Sequence, residues 1–214
     1  MPPARVWKQF GAARPGIICL GAVGAYAMPY QYLVLVAVLL LRLWEASYSF
    51  RRLAEDRKAG SAETIKEPIF PAMVALHGAW LLSCFLEVSL WRPGFHASLV
   101  LSMLVLWGLA LALRAWVMLT LGECWNVRLI KRKNQPVVAT GPYRYIRHPN
   151  YVAVILEIAV VPLLVGAYWT ALVGSVANGL LLWRRIAGEE AYLMQNAAYR
   201  KAFGHKARLI PRLF

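Results

Sequence analysis

Charge is scarce in this 214-residue chain and negative charge scarcer: 16% of residues are charged, with 10 Asp and Glu against 24 Lys and Arg. With 60% hydrophobic residues and a mean hydropathy of +0.51, the composition lies outside ordinary globular usage and is that of a membrane protein. Cysteine is sparse as well. Cys19, Cys84 and Cys124 show no CxxC or ligand-like spacing, which argues against a disulfide framework and a zinc site. No Walker loop, GxGxxG, GxSxG or HExxH is present, so phosphoryl transfer, Rossmann dinucleotide binding, serine hydrolysis and zincin chemistry have no local support. Internal repeats and low-complexity tracts are missing too. The apolar stretch after MPPARVWKQFGAARPG is too long for a signal-peptide core and lacks a small-residue cleavage site, so no cleaved signal is expected.

What the chain does have is apolar runs of membrane length. A helix needs about 20 apolar residues to span a bilayer. The runs Gln31 to Phe50, Ile69 to Leu90 and Ala97 to Leu119 meet that length. Gly16 to Pro29 is too short and too broken to cross alone; it packs on the outer surface or extends the first helix. Tyr151 to Trp183 cannot hold two full spans, and the expected solution is a helical hairpin whose polar ends continue as helix into the headgroup zone. The expectation is an all-α integral membrane protein of about five transmembrane helices. Residues 1–30 form an N-terminal segment of unknown role and 31–214 the membrane domain.

The formal charge of +14 would suggest nucleic acid in a soluble protein. Here the basic residues sit beside apolar runs, and membrane lipids are the expected partner. Assigned by loop, 18 lysines and arginines fall on one face and 4 on the other, which predicts that the 18-residue face is cytoplasmic.

Two polar stretches interrupt the apolar sequence: GPYRYIRHPNY at 141–151 and RRIAGEE at 184–190. In a hairpin they lie side by side at one membrane face. Arg185 and Glu189 are at i and i+4, able to pair with each other in a capping salt bridge or to address a ligand jointly. Glu190 points about 100° away and reads as a structural or solvated partner. Pro149 biases His148 away from helix, so Pro149 to Tyr151 open the next helix, where free N–H groups favour a polar or anionic ligand. A plain loop-to-helix cap is the competing reading. Arg42, Glu45, His77 and Glu157 lie inside apolar runs and are functional candidates by that position, with Arg42 and Glu45 expected to pair with each other or with a neighbouring helix.

GPYRYIRHPNY followed by an apolar hairpin, then Arg185 four residues ahead of EEAYL at 189–193, resembles the isoprenylcysteine carboxyl methyltransferase superfamily. LRLWEASYSFRR, PAMVALH, LEV, LGECWNVR and HPNYVAVILE are similar to its bacterial branch that O-methylates alkylpyrones from type III polyketide synthases. The likeness runs from about residue 31 to 203. It implies an S-adenosylmethionine cofactor in a cytoplasmic pocket between the motif loop and the last two helices, with the chain in a bacterial inner membrane and the site facing the cytoplasm.

 

By position, that resemblance implies cofactor contacts at Gln135, Val137, Val138, Tyr143, His148, Pro149, Asn150, Tyr151 and Glu189, and it implies that Arg185 meets the acidic group of a lipophilic small-molecule acceptor. Two departures bear on adenine contacts and on close helix packing: Gln135 stands where eukaryotic members have histidine, and Ala153 stands where glycine is frequent. The leading reading is an O-methyltransferase for a lipophilic acid, alkylpyrone favoured. Isoprenylcysteine carboxyl or phospholipid N-methylation, an NADPH-dependent sterol or steroid reductase with a similar GPxxxxRHPxY ending, and a non-enzymatic scaffold or transporter are the alternatives. No metal is implied.

Overall fold

The computed structural model describes residues 21–65, 67–94, 96–132 and 136–211. Helix α1 spans Gly21–Lys58, α2 Phe70–Trp91, α3 Ala97–Leu121, α4 Pro149–Val165, α5 Tyr168–Leu193 and α6 Ala197–Phe203. Two short strands, β1 Ala62–Thr64 and β2 Ile130–Arg132, pair antiparallel with Glu63 opposite Lys131. They are a small addition to the all-α expectation, and they tie the α1–α2 and α3–α4 connections together at one end of the bundle.

The helices begin and end where local chemistry dictates. Proline sits in the first turn of α2 and of α4, where its missing N–H costs nothing. Helix α4 stops at Gly166, whose φ of +82° suits glycine and whose missing Cβ lets Pro93 of the α2–α3 turn approach. The free amides at the start of α5 are capped from another helix: Glu87 accepts from Trp169 N at 2.9 Å, Thr170 N at 2.8 Å and Thr170 Oγ1 at 2.7 Å. Burying that carboxylate is tolerable because three donors satisfy it.

Among the described residues, three segments are each long and apolar enough to cross a membrane: Tyr30–Lys58, Phe70–Trp91 and Ala97–Cys124. Their outward leucines are bare, as lipid-facing residues are; Leu119 is 82% exposed. The expected all-α membrane fold is found, with the α4–α5 hairpin beside these three segments. Helix α4 is apolar but only 17 residues long, about 25 Å, and α5 carries Arg184, Arg185, Glu189 and Glu190 in its final third. The two form the expected hairpin, turning at Gly166 and Ala167, and the polar end of the second does continue as helix. Of the two alternatives for the stretch before Pro29, residues 21–29 extend the first helix.

Helix α4 is the centre of the bundle, packed on α3 and α5, with Val154, Ile158, Val161 and Val165 buried against α1 and α2 residues such as Leu35, Trp80 and Cys84. Across α1, α3 and α4 runs a charge network: Arg42 pairs with Glu45 and Glu157 at 2.8 Å each, and Arg114 pairs with Glu157 and, at 3.5 Å, with Glu45. The expected Arg42–Glu45 pair is therefore half of a neutral quartet. Arg114 sends the same signal as the others, a lone charge within an apolar run, and only the packing shows which helices it joins.

Candidate functional site

One end of the bundle gathers both polar motifs. The α3–α4 connection folds over it, beginning with Trp125 to Val127, where Asn126 Nδ2 donates to Ser49 O and Val127 N to Ser49 Oγ, both at 3.1 Å. It then reaches a 3₁₀ turn at Gly141–Arg144. Gly141 has a φ of +56°, and a Cβ there would collide with Thr120 of α3, so the motif's glycine sets both the turn and the close approach.

Beyond α5 the chain doubles back. Asn196 caps α6 by accepting from Ala198 N and Tyr199 N. The following residues strap onto the motif loop: Arg147 N donates to Ala207 O and His148 N to Arg208 O, both at 3.0 Å. Lys206 Nζ reaches Tyr143 O at 2.8 Å.

Glu190 holds this strap. Its carboxylate accepts from Arg147 and His148 at 3.1 Å and from Arg208 Nε at 2.9 Å. Burial acts to raise its pKa, but hydrogen bonds from His148 and Arg208 outweigh burial and lower it to about 2. Because the folded pKa lies below the ordinary carboxylate value, the stabilisation is full above about pH 4.5 and is lost as pH falls toward 2. Melting curves of the wild type and Glu190→Gln are expected to differ most at neutral pH and to converge by about pH 2; a pH-independent difference would show that the charge is immaterial. Of the structural and solvated alternatives expected for Glu190, its burial and its three partners match the structural one.

Between these elements and the helices lies a cavity of about 900 Å³. Val137, Val138, Tyr143, His148, Asn150, Tyr151, Arg185 and Glu189 all line it. Pro149 is buried in the first turn of α4 rather than on the cavity wall, and Gln135 lies outside the described residues. Glu189 accepts a hydrogen bond from Tyr151 Oη, while Tyr143, Tyr199 and Phe203 supply further aromatic surface. Burial first, then the nearby Glu189 carboxylate, raises the Tyr143 and Tyr199 phenols above their ordinary range, so both keep their O–H. Two buried polar atoms of cavity-lining residues, Asn150 Oδ1 and Trp125 Nε1, have no hydrogen-bond partner among the described residues.

Arg185 does not pair with Glu189. Its Nη2 donates to Val127 O at 2.7 Å and meets Glu67 at 3.4 Å, and its guanidinium lies 5.6 Å from the Tyr151 ring centroid and 5.9 Å from that of Phe70. The i, i+4 spacing allows the pair, but the α1–α2 connection delivers a better-placed carboxylate. Glu67 also accepts from Leu129 N. It sits in a polar surface connection, where nothing in the local sequence separates it from solvated glutamates.

The arrangement offers a carboxylate and aromatic faces suited to a cation, orphaned polar atoms for a polar ligand, and a guanidinium at the edge of an apolar chamber. Comparisons with known proteins bear on the family and the fold. A model of the isoprenylcysteine carboxyl methyltransferase (ICMT) family matches residues 100–195. The uncharacterized protein YpbQ of Bacillus subtilis (strain 168) is 31% identical over 173 residues, 77% of this chain and 98% of the relative. An uncharacterized protein of Haemophilus influenzae is 26% identical over 165 residues, 77% of this chain and 95% of the relative. The solved structure of the eukaryotic intramembrane Ras methyltransferase ICMT is similar in fold, with a TM-score of 0.55 at 22% identity. That match covers 66% of this chain and 53% of the solved one, so the chain spans about half the length of that enzyme.

Proposed function

The chain belongs to the isoprenylcysteine carboxyl methyltransferase family, and we propose that it is an S-adenosylmethionine-dependent O-methyltransferase acting on a lipophilic acid, with an alkylpyrone as the favoured acceptor. The observation that carries this reading is the continuity of the cavity, from the polar mouth at Tyr143, His148 and Glu189 to the apolar surface of Phe70, Met73, Val74 and Leu182. A polar cofactor enters such a chamber from water and an alkyl-chain acceptor from between helices.

The residues fit the cofactor. Glu189 and the tyrosine faces suit a sulfonium and an amino group, and the unpartnered Asn150 Oδ1 and Trp125 Nε1 supply one acceptor and one donor. When bound, the cofactor supplies an electrophilic methyl group, which the acceptor oxygen takes by in-line displacement as the carbon–sulfur electrons return to sulfur. The protein's task is alignment and charge. Arg185 holds the anionic oxygen, using Nε and Nη1 while Nη2 stays on Val127 and Glu67. An acid already ionised at neutral pH needs no strong base.

Calorimetric titration of the detergent-purified chain with S-adenosylmethionine and with NADPH tests the cofactor; binding of NADPH alone would transfer the chain to the reductase reading. Methylation of a panel holding an alkylpyrone, an alkylresorcinol, a farnesylcysteine and a phosphatidylethanolamine tests the acceptor. Glu189→Ala is expected to raise the S-adenosylmethionine Kd about tenfold or more with the fold intact. Glu190→Ala instead loosens the strap and lowers the melting temperature. Equal Kd effects with unchanged melting in both would refute this division of roles.

We also place the cavity mouth on the cytoplasmic side of a bacterial inner membrane, with 31–214 as the methyltransferase domain. The support is the segregation of charge: the ends of α1 and α5, the β-ladder and the motif loop share one end, while Gln31 Nε2 reaches Val165 O and Pro93 O at the other. A cysteine at Lys206 should label from the cytoplasm and one at Gly94 from outside. Labelling of position 206 in intact cells by an impermeant reagent would reverse the orientation.

A further inference from the structure

The deep end of the cavity is polar again. Arg42, Glu45, His77 and Arg114 line it, two helical turns along α2 from Phe70, or about 10 Å. The wall between is apolar, made by Met73, Val74, Val154 and Leu182. An acceptor chain running straight down this wall would press its methyl end against a guanidinium, which costs desolvation and returns nothing. The floor therefore suits an occupant that is polar at both ends.

The floor's free valences define the polar group. Arg42 is the quartet member with open surface: its side chain is 25% exposed, against 9% or less for Glu45, Arg114 and Glu157. Nη1 and Nη2 face Glu45 and Glu157, leaving Nε as a donor. His77 Nδ1 hydrogen-bonds to Met73 O at 2.8 Å. A carbonyl oxygen only accepts, so Nδ1 carries the proton and Nε2 presents a lone pair. Arg114 Nε is buried without a hydrogen bond, its contact with Glu45 being a 3.5 Å ion pair. Behind the floor, Arg42, His77, Trp80 and Glu157 surround a second cavity of about 10 Å³, the size of one water.

We propose that this floor is a hydroxyl-binding subsite of the acceptor site, with Arg42 donating to the oxygen and His77 Nε2 accepting its proton. The proposal rests on the reading of the cavity as the acceptor site. Two arginines and two glutamates make the quartet neutral, so a neutral hydroxyl fits without importing charge, and the guanidiniums disfavour an ammonium. The acceptor class narrows to lipophilic oxygen acids that carry a second hydroxyl further along the chain, at a reach of about 10 Å set by the rise from Phe70 to His77.

The test uses the full chain in detergent with 4-hydroxy-2-pyrones bearing a plain octyl chain or chains of about four to eight carbons ending in a hydroxyl, a length range set by the helical rise. Binding is measured by calorimetry and methylation by transfer from S-adenosylmethionine. The best-fitting hydroxylated chain is expected to bind about tenfold more tightly than the octyl chain, and His77→Leu to bring that ratio close to one. Arg42→Lys keeps the charge against both glutamates, should reduce the same ratio, and serves if His77→Leu does not fold. A ratio near one in the wild type, or one untouched by either variant, overturns the subsite. Binding needs no turnover, so a pyrone that binds with the expected ratio but is not methylated refutes the proposed reaction and leaves the subsite standing.

Discussion

Replacing Glu157 by leucine is expected to destabilise the bundle by about 3–5 kcal/mol, because it strands Arg42 and Arg114 against a single remaining carboxylate inside the membrane. Glu157 is buried and accepts from both arginines. Its removal does not merely delete two contacts; it leaves an uncompensated positive charge in a largely buried network. The double variant Arg114→Leu with Glu157→Leu removes one charge of each sign and leaves Arg42 paired with Glu45 across one helical turn. It should recover most of the loss, since well-packed apolar residues often replace a buried ion pair at little cost. Thermal unfolding of the four members of this cycle in one detergent reads the coupling. Additive losses in the double variant would show that Arg114 and Glu157 do not act as a pair.

Arg185→Ala should lower the acceptor's kcat/KM by roughly 10²-fold, the scale of losing one charge-stabilising donor at a reacting oxygen. The S-adenosylmethionine Kd should change much less, because a guanidinium has no attraction for a sulfonium. Arg185→Lys keeps a charge for Glu67 but not the planar fork, so it should restore only part of the lost activity. The structure adds a complication that the variant pair resolves. Arg185 also anchors the α3–α4 connection through Val127 O and Glu67, and Val137 and Val138 of that connection line the cavity. Loss of anchoring alone would weaken cofactor binding along with turnover. If Arg185→Ala abolished cofactor binding in a folded bundle, the residue would serve the roof of the site rather than the acceptor.

Much of this molecule is legible in local sequence. Membrane class, the three long apolar helices, the hairpin and the clustering of basic residues at one end follow from hydropathy and chain length, which depend on neighbouring residues alone. The motif at 141–151 is equally local: Gly141 and Pro149 each impose a backbone geometry on the residues beside them, and the side chains of Tyr143, His148, Asn150 and Tyr151 reach the cavity together. The different surroundings of Glu189 and Glu190 were also readable, since adjacent helical residues point about 100° apart.

The partners were not. Arg185 could meet Glu189 one turn away, and which carboxylate it meets depended on where the α1–α2 connection brings Glu67. The quartet required α1, α3 and α4 to place Arg42, Arg114 and Glu157 at one depth and on facing sides. The central place of α4 depended on how α3 and α5 pack around it. By itself the sequence determined the solvent, the helices and the motif turns, because apolar length and backbone preference act locally. Charge pairing and the polar floor of the cavity were decided by the tertiary structure alone, because they depend on how each helix is rotated and how deep it sits.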